Sequence, residues 1–380
     1  MKNRVITMLI WIIIISLFPF YSYGIEDLSP KLNNSSKFKI AYCENEPYFN
    51  YTGTLYGIIK GLYELGWIKT LNGLPYVPGD EDSEKIWKWL CTNDVSDYIE
   101  FVDEGFIRLI DIEHEDRNYI INEKLKNNKV DLLISMGTKA GKYTRDNVNN
   151  TPIMVFSSSN ALRSKIIASI EDSGKDNIWA HMDPDRYNRQ LKVFYDLFKF
   201  KRLGIVYENT NIGKTLSAID TVKEFAHENN IQLVEGFVAE AKSDDDILRY
   251  EKELKEAYDK ISKETDAFYL TVGSRNVKDT HMYLDPFYKN KIPVFSQVGP
   301  TEVKEGALLS VYRYNYDGIG RFGADRIIQV LKGAKPRYLS QVYGDTPSIS
   351  LNLEVADKID YKIPFQVLLI SDIIYKKIAD

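Results

Sequence analysis

The sequence predicts an α/β protein made of two doubly wound lobes, each with a mostly parallel sheet, joined by crossover hinges. A strand–turn–helix pattern occurs twice, beginning at residues 131 and 266. Each copy is an apolar run typical of a fully buried parallel strand, which ends at Gly137-Thr138 or at Gly273-Ser274. Strands and helical segments also alternate along most of the chain, which favours parallel sheets. Two similar lobes that face each other across a cleft are therefore expected.

The bulk composition fits two ordinary domains. The chain has 380 residues, of which 44% are hydrophobic, so it can bury two cores. The formal net charge is −5, and no stripe of lysine and arginine of the kind that neutralises phosphates is visible. Nucleic acid is therefore not expected as a partner.

The N-terminus has the pattern of a cleaved signal peptide over residues 1–24. Lys2 and Arg4 precede an apolar run, and the small residues Ser22 and Gly24 occupy the −3 and −1 positions of a cleavage site. An uncleaved anchor is the alternative, but the run is shorter than the roughly 20 residues that span a bilayer. We therefore expect a periplasmic or extracellular protein.

In the first half, a strand at 38–42 is followed by a long aromatic loop and a helix at 55–65. Residues 72–115 fit the alternation poorly and are interpreted as an insertion on the first lobe. The remaining elements expected there are a helix at 118–127 and buried strands at 131–136 and 151–156.

In the second half, the pattern predicts a strand and helix series that continues to the C-terminal region. Its elements are strands at 166–168, 202–207, 231–235, 266–272, 291–295 and 307–312, with helices at 185–198, 214–229, 244–263 and 317–331.

Candidate ligand contacts follow the strand ends, because ligands of open α/β sheets bind at the carboxyl ends of the strands. Gly137, Thr138 and Lys139 combine a close backbone approach with a helix start that favours a carboxylate or phosphate. An ordinary helix cap is the alternative. The run Ser157, Ser158 and Ser159 offers small hydroxyls, and hinge hydrogen bonds to the backbone are the alternative there.

The second lobe offers a mirrored set of candidates. Gly273, Ser274 and Arg275 form the second glycine turn, and Arg275 is suited to clamp a carboxylate. Asn209 follows one strand and Gln297 follows another, each in a position for a ligand contact. A solvated arginine and plain turns are the alternatives.

Aromatic residues occur at two of these loops. Tyr48 and Phe49 lie in the first strand-to-helix loop, and Tyr312 and Tyr314 alternate near a later crossover. Such rings can stack on an aromatic, amidine or sugar ligand, whereas packing between the lobes is the alternative.

No enzyme or cofactor site is expected. The four histidines lack metal-ligand spacing, and the sequence contains no Gly-x-Ser-x-Gly motif. Cys43 and Cys91 are a candidate disulfide in an exported protein, with two unpaired thiols as the alternative.

Several stretches together resemble the bacterial ABC-transporter substrate-binding proteins of the type I periplasmic fold, in the group that includes tryptophan and tyrosine transport candidates. They are Asp131-Leu-Leu-Ile-Ser-Met-Gly-Thr, Thr151-Pro-Ile-Met-Val-Phe, Leu203-Gly-Ile-Val-Tyr-Glu-Asn, Ile292-Pro-Val-Phe-Ser, Gly306-Ala-Leu-Leu-Ser-Val, Tyr316-Asp-Gly-Ile-Gly, Leu331-Lys-Gly-Ala-Lys-Pro, Leu351-Asn-Leu and Ile363-Pro. The likeness covers roughly residues 125–370 in the same order.

This resemblance implies a monomeric binding protein that encloses a small polar ligand, such as an aromatic amino acid, between two lobes. It assigns residues 37–157 and 299–336 to lobe 1, and residues 158–298 and 337–380 to lobe 2. An ABC permease is the implied partner. A membrane sensor is the alternative partner, because its binding subunit would have the same fold.

Overall fold

A computed structural model describes residues 27–241, 244–271, 280–312, 316–344 and 347–379. The predicted signal peptide lies outside the described residues. Within these ranges, no helix is both long enough and apolar enough to cross a membrane.

The first lobe contains a five-stranded parallel sheet with the strand order β2-β1-β3-β4-β5. Apolar residues on both faces of this sheet are buried, as expected for parallel strands covered by helices. Its strands are β1 Phe38–Glu44, β2 Ile99–Arg108, β3 Leu132–Met136, β4 Ile153–Phe156 and β5 Ile178–Ala180. Its helices in this part of the chain are α1 Phe49–Glu64, α2 Ser83–Thr92, α3 Arg117–Asn127 and α4 Gly137–Asn147.

The second lobe contains a seven-stranded sheet with the order β12-β11-β10-β9-β8-β6-β7, in which β10 and β11 are antiparallel. Its strands are β6 Arg202–Glu208, β7 Gln232–Val238, β8 Ala267–Leu270, β9 Val294–Ser296, β10 Leu309–Tyr312, β11 Ser348–Asn352 and β12 Ile373–Tyr375. Its helices are α5 Arg186–Phe198, α6 Asn211–Leu216, α7 Ile219–Glu228, α8 Ile247–Ile261, α9 Thr280–Lys289, α10 Pro300–Lys304, α12 Leu353–Lys358 and α13 Phe365–Ile370.

One helix late in the chain returns to the first lobe. Helix α11, Asp317–Leu331, packs along α1, and its apolar side chains join the core of the five-stranded sheet. Glycines allow this close packing, because a Cβ atom on Gly57 or on Gly320 would collide with backbone atoms of the facing helix or its cap.

The chain does not cross between the two sheets at the expected boundaries 157/158 and 298/299. Ile178–Ala180 pairs with β4, so the first sheet extends past residue 157. Leu309–Tyr312 pairs with β9 and β11, so it belongs to the second sheet. The strand expected at 166–168 does not form, and its Ile166 and Ile167 are buried in the core of the first lobe.

The interpretation of residues 72–115 as an insertion was wrong in its main part. The segment contains α2 and β2, and β2 pairs with β1 as the edge strand of the first sheet. The pairing of β1 with β2 shifts register between Ile40 and Tyr42, as it does at a β-bulge.

Cys43 and Cys91 are free thiols, so the candidate disulfide is not formed in the structure. Cys43 lies in β1 within the apolar cluster that includes Leu125 and Leu133, whereas Cys91 lies in α2 against the other apolar cluster of the first lobe. The two thiols thus pack into separate halves of the core.

Candidate functional site

Residues from both lobes meet around Tyr48, Asn50, Arg186 and Tyr312, a region that we call the lobe junction. Asn50 lies at the start of α1 in the first lobe, and its side-chain oxygen accepts a hydrogen bond from the hydroxyl of Tyr312, at the end of β10 in the second lobe. The same oxygen accepts a hydrogen bond of 2.8 Å from Tyr316. The predicted residue Tyr312 is therefore at a contact between the lobes.

The first glycine turn lies beside this region. Gly137 has a φ of +85° and begins α4, and the Tyr51 ring covers it so closely that a Cβ atom would overlap the hydroxyl. Thr138 follows as a buried residue. Its hydroxyl accepts a hydrogen bond of 3.0 Å from the backbone N–H of Ser159 and lies 3.4 Å from the Ser158 hydroxyl. The glycine turn and the serine run are thus in direct contact, as their positions after adjacent strands predict.

Two other predicted contacts of the first lobe have protein partners. The Lys139 ammonium forms an ion pair of 3.1 Å with Glu46. The Ser157 hydroxyl is 2.8 Å from that of Thr54 on α1. These bonds agree with the alternative reading of hinge and cap chemistry, since they hold the loops in place.

The serine run also contacts the second lobe. The Tyr187 hydroxyl, on the first turn of α5, donates a hydrogen bond of 3.2 Å to the carbonyl oxygen of Ser159. Ser159 therefore belongs to the contact between the lobes, together with Asn50 and Tyr312.

Tyr48 and Phe49 form an aromatic group with Tyr51. The ring centroid of Tyr48 is 4.7 Å from that of Phe49 and 5.1 Å from that of Tyr51. Burial raises the pKa of the Tyr48 hydroxyl, and the nearby Tyr312 and Glu302 raise it further. The hydroxyl therefore stays protonated and available as a hydrogen-bond donor.

Arg186 is a residue of the lobe junction that the sequence analysis missed. Its guanidinium carbon lies 5.1 Å from the ring centroid of Tyr187 and 5.2 Å from that of Tyr312. Burial alone would lower the pKa of Arg186, but the hydroxyls of Tyr187, Tyr312, Tyr48 and Tyr269 outweigh it and raise the pKa. Within the described residues, the guanidinium has neither a hydrogen-bond partner nor a carboxylate partner. It is a permanent cation with free donors next to a group of aromatic rings.

Glu302 is the second residue that was missed. It lies on the short helix α10, and burial raises the pKa of its carboxyl to about 8, with a smaller contribution from Glu305. The Ser296 hydroxyl donates a long hydrogen bond of 3.5 Å to it. The charge of Glu302 also raises the pKa of Tyr48.

The remaining predicted contacts divide into two sets. Gln297 is buried, and its hydrogen bonds stay within the second lobe. Its side-chain amide donates to the Leu216 carbonyl at 3.1 Å, and its backbone carbonyl accepts from the Gln190 side chain at 3.2 Å. Asn209 is exposed between β6 and α6. The predicted contacts outside the described residues are Gly273, Ser274, Arg275 and Tyr314.

No pattern in the sequence distinguishes Arg186 and Glu302 from surface residues. Arg186 follows the helix-start signal Asp183-Pro-Asp185, and Glu302 follows a Gly-Pro turn. Both lie near crossovers between the lobes, so proximity to a crossover was the one available signal.

The family model for ABC transporter substrate binding proteins matches residues 113–373. The chain belongs to this family. Its members are substrate-binding proteins rather than enzymes, and membership implies a small-molecule ligand and an ABC permease as partner. The resemblance stated from the sequence is confirmed. No curated protein matches the chain by sequence.

Solved structures confirm the two-lobed α/β fold. A conserved domain protein from Vibrio cholerae has a TM-score of 0.62 at 18% identity, over 89% of this chain and 100% of that chain. A domain from Streptococcus pneumoniae in complex with L-Trp has a TM-score of 0.63 at 17% identity, over 89% and 100%. A ligand-free, open substrate binding protein with adhesive properties from Clostridium difficile has a TM-score of 0.61 at 17% identity, over 90% and 100%. At these identities the likeness shows the fold.

Proposed function

We propose that the protein captures a small carboxylate-bearing solute between its two lobes, outside the cytoplasm, and presents it to an ABC permease. The observation that carries the proposal is Arg186. A guanidinium with free donors at a lobe junction is suited to bind a carboxylate through two parallel hydrogen bonds. The family and the predicted signal peptide support a location outside the cytoplasm.

The aromatic rings at the same place favour an aromatic amino acid as the solute. Tyr48, Phe49, Tyr51 and Tyr312 offer ring faces within a few ångströms of Arg186 or of one another. The L-Trp complex of the similar domain from Streptococcus pneumoniae supports this class.

The proposed mechanism is closure of the two lobes around the solute. The solute adds contacts to both lobes only when they are closed, so it shifts the population towards the closed form that the permease recognises. Asn50 and Tyr312, which belong to different lobes, are already in contact beside Arg186. A solute held there bridges the lobes.

Isothermal titration calorimetry of amino acids, other carboxylates, amines, nucleosides and sugars against the mature protein tests the proposal. We expect a carboxylate to bind, and Arg186→Gln to weaken it by roughly 30-fold or more, the usual effect of truncating one partner of a buried charge pair. Lys192→Gln is the matched control, because it removes a positive charge from an exposed position of α5. The proposal fails if the wild-type protein binds none of these compounds, or if Arg186→Gln binds the carboxylate as well as the control does.

A further inference from the structure

One arginine of the first lobe binds two residues of the second lobe. Arg163 lies in the turn after the serine run, between Ala161 and Ile166, which are both buried in a core cluster of the first lobe. Its Nε donates a hydrogen bond of 3.2 Å to the Thr215 hydroxyl on α6, and its guanidinium forms an ion pair with Asp220 on α7. The Arg163 side chain therefore joins the two lobes.

Both ends of this contact are held in place by their own lobes. The backbone N–H of Arg163 donates a hydrogen bond of 2.9 Å to the Asn160 side chain, and the Ser164 hydroxyl donates one of 2.7 Å to the Asn160 carbonyl. Thr215 is buried, and its hydroxyl donates to the Asn211 carbonyl at 2.9 Å. Because its proton is used there, the Thr215 oxygen is left as an acceptor for the Arg163 guanidinium.

The exposure of the two charged groups determines how strong this contact is. The Arg163 side chain is 25% exposed and the Asp220 side chain is 69% exposed. An exposed ion pair alone changes an equilibrium by about fivefold at most, whereas a hydrogen bond from a charged donor to a buried acceptor contributes more. Both bonds are lost when the lobes move apart, so together they favour the arrangement with the lobes in contact by about tenfold.

The same loop of the first lobe is bound to the second lobe at another point. The Tyr187 hydroxyl on α5 donates to the Ser159 carbonyl, four residues before Arg163. These bonds join protein atoms directly, so they act with or without a solute in the cleft. The loop after β4 is therefore placed to set how far the lobes separate in the empty protein.

We propose that Arg163, with Thr215 and Asp220, forms an interlobe latch that holds the empty protein closed. Arg163 is then a positioning residue, because it increases the fraction of molecules in the closed form, and that fraction scales the apparent affinity for a solute that the closed form binds. This role does not depend on which solute binds. Since Asp220 is largely exposed, salt should weaken the latch and open the cleft.

Small-angle X-ray scattering of the mature protein, dialysed to remove copurified solute, tests the latch through the radius of gyration. We expect Arg163→Gln to raise the ratio of open to closed molecules by about tenfold and so to enlarge the radius. Arg163→Glu should enlarge it further, because two carboxylates then face each other. Combining Arg163→Glu with Asp220→Arg restores an ion pair and should reverse the expansion. Raising the salt from about 0.05 M to about 0.5 M should enlarge the wild type but not Arg163→Gln.

The control is Arg202→Gln, which breaks an arginine–aspartate pair that lies within the second lobe. Arg202 donates hydrogen bonds of 3.1 Å and 2.6 Å to Asp266, and their loss should leave the radius unchanged. Identical scattering by Arg163→Gln, Arg202→Gln and the wild type would overturn the latch. Equal expansion of both variants would also overturn it, because the cause would be a general loss of structure. An expansion that Asp220→Arg does not reverse in Arg163→Glu would refute the pairing with Asp220.

Discussion

The Tyr51 hydroxyl occupies the space that a Cβ atom on Gly137 would need. Gly137 also has a φ of +85°, where L side chains are strained. We expect Gly137→Ala to lower the free energy of unfolding by more than the roughly 1–2 kcal/mol of backbone strain alone, because the Tyr51 ring, which packs on Tyr48, must also move. Urea denaturation measures the change.

Gly79→Ala is the matched control for that prediction. Gly79 has a φ of +89°, and nothing lies within 4 Å of a Cβ atom placed there, so this substitution introduces the backbone strain without a collision. Equal destabilisation by the two substitutions would show that Tyr51 does not restrict position 137.

The packing of α1 on α11 predicts that replacing a helical glycine by alanine destabilises the protein, which is the opposite of the usual effect. Replacing glycine inside a helix by alanine normally stabilises it by up to about 1 kcal/mol. A Cβ atom on Gly320 would instead collide with the backbone of Gly57, which cannot rotate away. We expect Gly320→Ala to destabilise the protein strongly, and Gly323→Ala to do so less, because there the collision is with the Phe156 ring. Thermal denaturation of both variants measures the change in stability. Stabilisation by Gly320→Ala would contradict the observed contact between the helices.

The buried carboxylate of Glu44 predicts a large loss of stability when it is neutralised. Glu44 is fully buried and accepts hydrogen bonds from Tyr42 at 2.8 Å, Ser83 at 2.5 Å and Arg108 at 2.9 Å. Since Glu44→Gln leaves the Arg108 cation without its closest partner, we expect a loss of about 3–5 kcal/mol. Asp196→Asn, in the exposed pair with Lys199, is the control and should change the stability by less than about 1 kcal/mol.

The free thiols predict slow thiol chemistry in the folded protein. Burial, and then the negative charge of Asp103, raises the pKa of Cys91 to about 12, and burial raises the pKa of Cys43 as well. We expect neither thiol to react with a disulfide reagent until the protein unfolds, and both to be alkylated after unfolding without a reductant. Mass spectrometry measures the labelling of the folded and of the unfolded protein. A mass lower by two hydrogens after air oxidation would show that Cys43 and Cys91 form the disulfide that the sequence suggested.

The strand ends in the first lobe could be predicted from the sequence, whereas the charged residues of the site could not. Glycine after an apolar run requires a turn at Gly137, and the neighbouring strand brings Ser159 to Thr138 by parallel pairing. These are local or nearest-neighbour effects. Arg186 acquires its environment from the Tyr312 ring, which lies on another element. That environment therefore depends on where the chain crosses between the sheets.

The crossovers between the two sheets could not be located from the sequence for a related reason. A short apolar run such as Ile178–Ala180 can join either sheet, and only its pairing with β4 decides. Leu309–Tyr312 is equally ambiguous by sequence, although its place in the second sheet positions Tyr312 opposite Asn50. Sequence periodicity identifies strands but does not assign them to a sheet.

The raised pKa of Glu302 predicts that the folded protein loses stability as the pH rises. The pKa of Glu302 is higher in the folded protein than its ordinary value of 4.5, so its contribution is fully present below pH 4.5 and is lost as the pH rises through about 8. Thermal denaturation as a function of pH measures the change. Glu302→Gln should remove this part of the pH dependence. A pH profile that the substitution leaves unchanged would assign the titration to another group.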